Sequence, residues 1–241
     1  MASAVWKRFE TSPGYQRAKT WLRRLVGKEL RLKKEIQLDT IEEGGWCFSV
    51  DGINQDSIVY SLGVGEDIEF DLFIIERFSP QVHAFDPTPS TISMLANVSL
   101  PDGFHFHPWA ITAEDGNLRF YPRIRKDGSK SGVMYTMIAE QASKDDAIDV
   151  PAFSLASVTT KLDHSRIDLL KMDIEGAEYG VLEGLLSSPI KPRQLLVEFH
   201  HRFPGIGLEK TADIIRRLKK IGYRIFAISG NGREVSFLRV T

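Results

Sequence analysis

Four titratable side chains crowd one short stretch of the sequence. Lys171, Asp173, Glu175 and Glu178 fall where the apolar run IDLLKM (167–172) gives way to EGAEYGVLEGLL. A carboxylate at the end of a buried strand can face a positive charge, orient a substrate or hold a metal. Asp173 has that position. Glu175 sits near the start of the next helix, where negative charge is favourable by about 0.3–1 kcal/mol. Glu178, one turn further on, reads as a solvated or paired helix acid, and Lys171 as a structural partner of these acids. Two adjacent histidines, His200 and His201, come directly after another apolar run, RQLLVEF (193–199), which contains Glu198. An imidazole titrates near neutrality and can take a proton from a hydroxyl or amine nucleophile. Only one of two neighbouring side chains faces inward.

These residues must be positioned by the elements around them. From residue 57 onward, apolar runs of strand length alternate with helix-like segments. SIVYSL (57–62), QVHAF (81–85), FHFHPWAI (104–111), IDLLKM and RQLLVEF read as strands, the third interrupted by Pro108. GNLRFY (116–121) reads as a short extra strand. LEKTADIIRRLKKIG repeats Leu208, Ala212, Ile215 and Leu218 at a helical period. YRIFAIS and EVSFLRV form a closing antiparallel pair around GNG. The alternation predicts an α/β protein, a mostly parallel sheet with helices on both faces and a C-terminal hairpin that makes it mixed. Residues 122–147, polar and rich in Lys, Ser and Gly, break the pattern as a substrate-covering insertion or a plain surface loop.

In open α/β sheets, ligands bind beyond the carboxyl ends of the strands. The residues just past the strands here are polar or glycine-rich: LGVGED, DPTP, Asp173 with Glu175, and Glu198 with His200 and His201. Gly63 and Gly65 let the backbone turn and approach a ligand closely, and Asp67 can cap the next helix. Asp86 ends the second strand 23 residues after Gly63, where nucleotide-binding sheets put an acid that accepts ribose hydroxyls. The dinucleotide fingerprint is not met, because Ile68 stands in place of its third glycine, and there is no P-loop. An adenosine without a pyrophosphate fits better, and S-adenosylmethionine has that shape.

Composition narrows the setting. The 241 residues are 42% hydrophobic and 26% charged with a net charge of -1, ordinary for a soluble domain and no reason to expect nucleic acid. Cys47, the single cysteine, excludes an internal disulfide and suits a reducing compartment. No run reaches membrane-spanning length and no signal-peptide core is present, so a cytoplasmic location is expected. Residues 1–34 carry ten Lys/Arg against Glu10 and Glu29, a balance of +8, interleaved with Trp6, Phe9, Trp21, Leu22, Leu25 and Val26. This basic N-terminal helical extension, residues 1–45, either packs on the domain of 46–241 or touches an anionic membrane peripherally. Pro13 and Gly14 interrupt any single long helix there. His105 and His107 share a strand face and could pair on a metal, though a half-buried strand explains them.

The motifs IVYSLGVGEDIEFD (58–71), VHAFDPTP (82–89), DLLKMDIEGAEYGVLEGLL (168–186) and LLVEFHH (195–201) resemble, in that order, the FkbM family of S-adenosylmethionine-dependent methyltransferases. K-x-D-x-E-G-A-E is the most distinctive part. The resemblance implies a class I methyltransferase fold, Rossmann-like, with a mixed, mostly parallel seven-stranded sheet. It implies O-methylation of a small molecule or sugar. The implied cofactor contacts are Ser61, Leu62, Gly63, Gly65, Glu66, Asp67, Asp86, Pro87, Ala110 and Asp173. Glycines 63 and 65 line the methionine portion and Asp86 holds the ribose, while Asp173 lies near the methyl with Glu175 and Glu178 supporting it. Ser61 replaces the usual first-strand acid, and Glu66 or Asp67 takes over the contact to the cofactor's ammonium.

The expected mechanism is in-line displacement of the methyl by a hydroxyl oxygen, with His200 as base, helped by Asp173 or Glu198. A divalent metal on Asp173, Glu175 and His200 is the unexpected alternative. The rival readings are a nicotinamide oxidoreductase, a non-catalytic nucleotide-binding or scaffold module, and a nucleic-acid methyltransferase using the basic N-terminus. The acidic body opposes the last of these.

Overall fold

A computed structural model describes residues 12–124, 130–136 and 147–240. Its centre is a seven-stranded sheet of β3 (Ile58–Leu62), β4 (Gln81–Phe85), β5 (Phe104–His107), β10 (Leu169–Met172), β11 (Gln194–Glu198), β12 (Tyr223–Ile228) and β13 (Glu234–Arg239). The strand order is β12-β13-β11-β10-β3-β4-β5. Pairs from β11 through β10, β3 and β4 to β5 are parallel, and β13 is antiparallel to both its neighbours. The expected mixed, mostly parallel sheet is therefore present. The last hairpin differs in one respect: β13 inserts between β11 and β12 instead of extending the edge.

Helices α2 (Glu69–Phe78), α3 (Pro89–Leu95), α5 (Glu178–Ser187) and α6 (Gly207–Lys220) connect these strands, and α4 (Leu155–Lys161) precedes β10. Alternation of side chains along each strand divides the core in two. Leu170, Met172, Leu195 and Val197 face Leu182, Leu185 and Leu218 of α5 and α6. Leu169, Leu196, Val59 and Val82 face Phe70 and Ile74 of α2, with Phe48 of β2 (Trp46–Ser49). Strands buried on both faces explain the near-continuous apolar runs.

The expected third strand breaks at Pro108. Strand β5 ends at His107, the Trp109 N–H turns back to the His107 carbonyl at 2.8 Å, and β6 (Ala110–Thr112) begins in a different sheet. That smaller sheet also contains β7 (Gly116–Ile124), β8 (Lys130–Thr136) and β9 (Ile148–Ser154), in the order β6-β9-β7-β8. Part of the expected insertion at 122–147 is thus strand. Its residues 125–129 and 137–146 lie outside the described residues, as do Trp6 and Phe9 at the N-terminus.

Helix α1 (Pro13–Leu25) begins at Pro13, whose fixed φ suits the first helical turn. Trp21, Leu22, Leu25 and Val26 are exposed on this segment. Glu29 ties it to the body: its buried carboxylate lies 2.7 Å from His201 Nε2 and accepts from Arg202 Nε at 3.0 Å. Burial opposes its charge, but His201 and Arg202 outweigh burial and hold the carboxyl at about 2. The chain then forms β1 (Thr40–Glu43), antiparallel to β2. The residue-45 boundary of the expected helical extension therefore falls in the turn of a hairpin. No helix among the described residues is long and apolar enough to cross a membrane.

Four histidines gather on and beside the outer strands. His83 Nδ1 and His107 Nε2 are 3.1 Å apart, Tyr60 Oη is 2.8 Å from His164 Nδ1, and His105 bonds Gln81 at 2.7 Å. His105 and His107 therefore have separate partners. Burial and then the neighbouring rings depress His83 to about 3 and His107 to about 4, against 6.5 for a free imidazole. As pH falls below about 6.5, protons bind the unfolded chain first, so stability is full above that value and declines toward pH 4. The melting temperature should fall between about pH 7.5 and pH 5, and His83→Asn should shrink that fall. An equal fall in both proteins would contradict the assignment.

Candidate active site

The order of strands reverses between β3 and β10, and the chain places its glycine turn there, at the switch point where ligands bind in open sheets. Backbone hydrogen bonds extend the ladder beyond the strand ends. The Asp173 N–H donates to the Leu62 carbonyl at 2.9 Å, and the Gly63 N–H to the Phe85 carbonyl at 2.8 Å. Three adjacent loops are thereby pinned side by side.

Gly63 allows that approach. Its φ is +73°, and a Cβ built there would lie 1.8 Å from the Asp173 carbonyl oxygen. Gly65 also has positive φ, +56°, but open space around its missing Cβ. Left-handed φ costs a non-glycine residue about 1–2 kcal/mol, and a backbone collision adds to that at Gly63 alone. Gly63→Ala should therefore lower the melting temperature by more than about 4 °C, and by more than Gly65→Ala does. Equal thermal shifts would contradict the contact.

Asp86 latches the first two loops together. One oxygen accepts from the Gly65 N–H at 2.9 Å, and the other accepts from Thr88 N–H and Oγ1 at 2.8 and 2.6 Å. An ionised carboxylate has about four acceptor sites, so capacity remains for a ligand. These loops and the small sheet enclose a cavity of about 200 Å³ whose lining includes Leu62, Gly63, Gly65, Asp86, Pro87, Ala110 and Asp173. Seven of the ten expected cofactor contacts thus share one cavity. Glu175 lines it as well, and so do Thr88 of the DPTP turn and Trp109, Ile111 and Phe120, which the sequence does not mark as contacts.

The other three contacts sit elsewhere. Ser61 is fully buried behind the wall, accepting from Lys171 Nζ at 3.2 Å. Glu66 is exposed and lines neither this cavity nor its neighbour. Asp67 accepts from the Glu69 N–H at 3.0 Å from the position before Ile68, which is the N-cap in place of the expected Asp67, and lines that neighbouring cavity of about 210 Å³. The second cavity is also lined by Gly44, Trp46, Lys171, Asp173, Glu198 and Glu234, so Asp173 stands between the two. Lys171 does not pair with the acids of its motif. It lies over the Trp46 and Phe70 rings at 5.2 and 5.8 Å. Asp71, fully buried on α2, has its carboxyl raised by burial, which Lys171 only partly opposes.

Helix α5 starts at Glu178, later than its apolar period suggests, because Glu175 and Gly176 both have positive φ. Glu178 is accordingly no solvated helix acid but fully buried. Its carboxylate accepts from Gly176 N–H at 2.9 Å and His200 N–H at 2.8 Å, and lies 3.3 Å from His200 Nδ1. Charged hydrogen bonds of this kind contribute about 1.5–3 kcal/mol each. They bind the loop after β10 to the loop after β11.

His200 turns inward and His201 turns to Glu29, as alternation requires. His200 nonetheless lines neither cavity and is 3% exposed. Its Nε2 faces Asp173, Glu175 and Glu198 at 3.7, 3.7 and 3.9 Å. Burial alone would lower its pKa, but Glu178, Glu175 and Asp173 outweigh burial and raise it above 6.5. That nitrogen faces three acids and neither cavity, a placement suited to tying the loops together. Glu198 is pushed up to about 8 by burial and then by Asp173, despite Arg233 at 2.5 Å. The carboxylates that meet the first cavity beside Asp86 are Asp173 and Glu175.

A family model described as the methyltransferase FkbM domain matches residues 56–225. The chain is 24% identical over 191 residues to the probable methyltransferase-like protein 24 of Homo sapiens, covering 76% of this chain and 44% of that one. It is 29% identical over 175 residues to methyltransferase 1 of Beauveria bassiana, covering 64% and 66%. The chain thus spans less than half the length of the human relative. Among solved structures, an FkbM methyltransferase from Methylobacillus flagellatus aligns with TM-score 0.47 and 11% identity, over 78% of this chain and 45% of that one. A fibrillarin pre-rRNA processing protein from Methanococcus jannaschii aligns with TM-score 0.46 and 11% identity, over 88% and 87%. The matched span runs from before the glycine turn to beyond His200 and holds every carboxylate of the site except Glu234, and by that match the chain belongs to the FkbM methyltransferase family.

Proposed function

We propose that this domain transfers a methyl group from S-adenosylmethionine to a hydroxyl oxygen of a small molecule or sugar. The observation that supports this most is the single cavity bounded by the Gly63–Gly65 turn, Asp86 and Asp173. Its residues fit the cofactor chemically. Leu62, Phe85, Trp109 and Ile111 offer apolar walls for a purine, Asp86 offers acceptors for two ribose hydroxyls, and Asp173 and Glu175 suit a neighbouring positive charge. With Ser61 turned away, Asp67 in the second cavity is the acid suited to the cofactor's ammonium.

When bound, S-adenosylmethionine would supply an electrophilic methyl group on a positively charged sulfur, which would leave as the neutral thioether. The chain's own task is to align the acceptor and remove its proton. Asp173 or Glu175 takes that proton, since both carboxylates meet the cavity. His200 and Glu178 act as positioning residues that hold the two acid-bearing loops together.

Incubation with methyl-labelled S-adenosylmethionine and a panel of hydroxylated sugars and small molecules tests the reading. Label in an ether linkage is the expected product. Label only on nitrogen, or cofactor binding without transfer to any acceptor class, would overturn it.

A further inference from the structure

The imidazole of His200 is held in an unusual way. Its Nδ1 is fixed by buried Glu178, and its Nε2 makes no hydrogen bond among the described residues. Three carboxylate oxygens surround that nitrogen at 3.7–3.9 Å, too far to bond it. A cation with ligand bonds of about 2.0–2.2 Å sets its ligands roughly 3–4 Å apart. Asp173, Glu198 and His200 each bring a ligand atom within 4.8 Å of the others. Among the described residues, the carboxylates of Asp173, Glu178 and Glu198 meet only one guanidinium, Arg233, and the imidazole itself.

We infer that Asp173, Glu198 and His200 form a binding site for one divalent cation, with Glu178 orienting the histidine from behind. A ligating histidine characteristically gives its other ring nitrogen to a carboxylate, the relation seen between His200 and Glu178. One imidazole and two carboxylates suit Mn²⁺ or Zn²⁺ better than an all-oxygen cation. Binding expels the Nε2 proton and the Glu198 carboxyl proton to solvent and draws Glu198 from Arg233, which is partly exposed and able to turn outward. Asp173 lines both cavities, so the cation would stand where an acceptor hydroxyl enters and lower its pKa. Glu175, which also lines the first cavity, is then the carboxylate that takes the proton. This role rests on the methyl-transfer reading above, whereas the site itself does not.

The test is titration of chelator-treated full chain with Mn²⁺ and Zn²⁺, with Mg²⁺ alongside, followed by calorimetry and, for Mn²⁺, by electron paramagnetic resonance. One Mn²⁺ or Zn²⁺ per chain is expected, with affinity falling at least about 10-fold in Asp173→Asn and His200→Asn. Glu178→Gln should weaken it about 10–100-fold without removing a ligand. Asp173→Asn keeps the side-chain shape at a partly exposed position, so the test stands if the buried variants fail to fold. The same preparations are titrated with S-adenosylhomocysteine, which reports the cofactor site separately. Wild-type protein that binds no Mn²⁺ or Zn²⁺ saturably, or Asp173→Asn that binds them as wild type does, overturns the site whatever the cofactor result.

Discussion

Asp173→Asn should lower kcat by about 10²–10⁴-fold, the range that removal of a general base commands, while S-adenosylhomocysteine affinity changes by only a few fold. The substitution keeps the shape of the side chain and leaves the backbone bond to Leu62 intact, so the glycine turn stays pinned. What it removes is the charge on the one carboxylate that lines both cavities. A cationic ligand feels that loss more than its product, which lacks the sulfonium charge. Affinity for S-adenosylmethionine should therefore fall more than affinity for its demethylated product. Steady-state kinetics and paired titrations measure both halves. Glu175→Gln provides the comparison: if it loses more activity than Asp173→Asn, the proton goes to Glu175 and Asp173 has another task.

Asp86→Ala should lower affinity for S-adenosylhomocysteine by at least about 100-fold, the equivalent of two charged hydrogen bonds at about 1.5–3 kcal/mol each. Asp86 also bonds Gly65 and Thr88 in the folded chain, so loop shape could account for part of the loss. Thr88→Val separates the two contributions, because it removes the hydroxyl bond to Asp86 while leaving the carboxylate available to a ligand. If Thr88→Val loses as much affinity as Asp86→Ala, the acid matters for loop shape and not for ribose contact. Calorimetry on the three proteins, each with its melting curve, decides between these outcomes.

Much of the sheet was legible because strands covered on both faces must be apolar along their whole length, as in LLKM and QLLVE. The spatial order was less so. Adjacency in sequence predicts that β12 and β13 pair, but nothing local says that β13 also takes the place beside β11. The small sheet was only partly legible: GNLRFY carried a strand signal and Ala110 and Ile111 were read as the end of the third strand, while β8 and the partly exposed β9 carried none. At the site, the polar residues past the strand ends pointed correctly to the switch point. Their individual tasks depended on side-chain direction. Ser61 and Lys171 pair in register across β3 and β10 and bond each other, which no spacing reveals. Of the two readings of Glu178, paired holds and solvated does not, because helical period does not mark the first residue and two left-handed residues delay the start of α5. The inward direction of one histidine was legible from alternation. The four carboxylates around His200 come from the loop after β10, the start of α5 and the end of β11, which only the folded chain brings together.

Calorimetric titration of wild-type protein with S-adenosylhomocysteine tests most directly whether the cavity between the glycine turn, Asp86 and Asp173 binds the adenosyl cofactor. Saturable binding of one ligand per chain, lost in Asp86→Ala, is the predicted result. A folded wild-type protein that releases no heat and shows no thermal stabilisation with the ligand would contradict it.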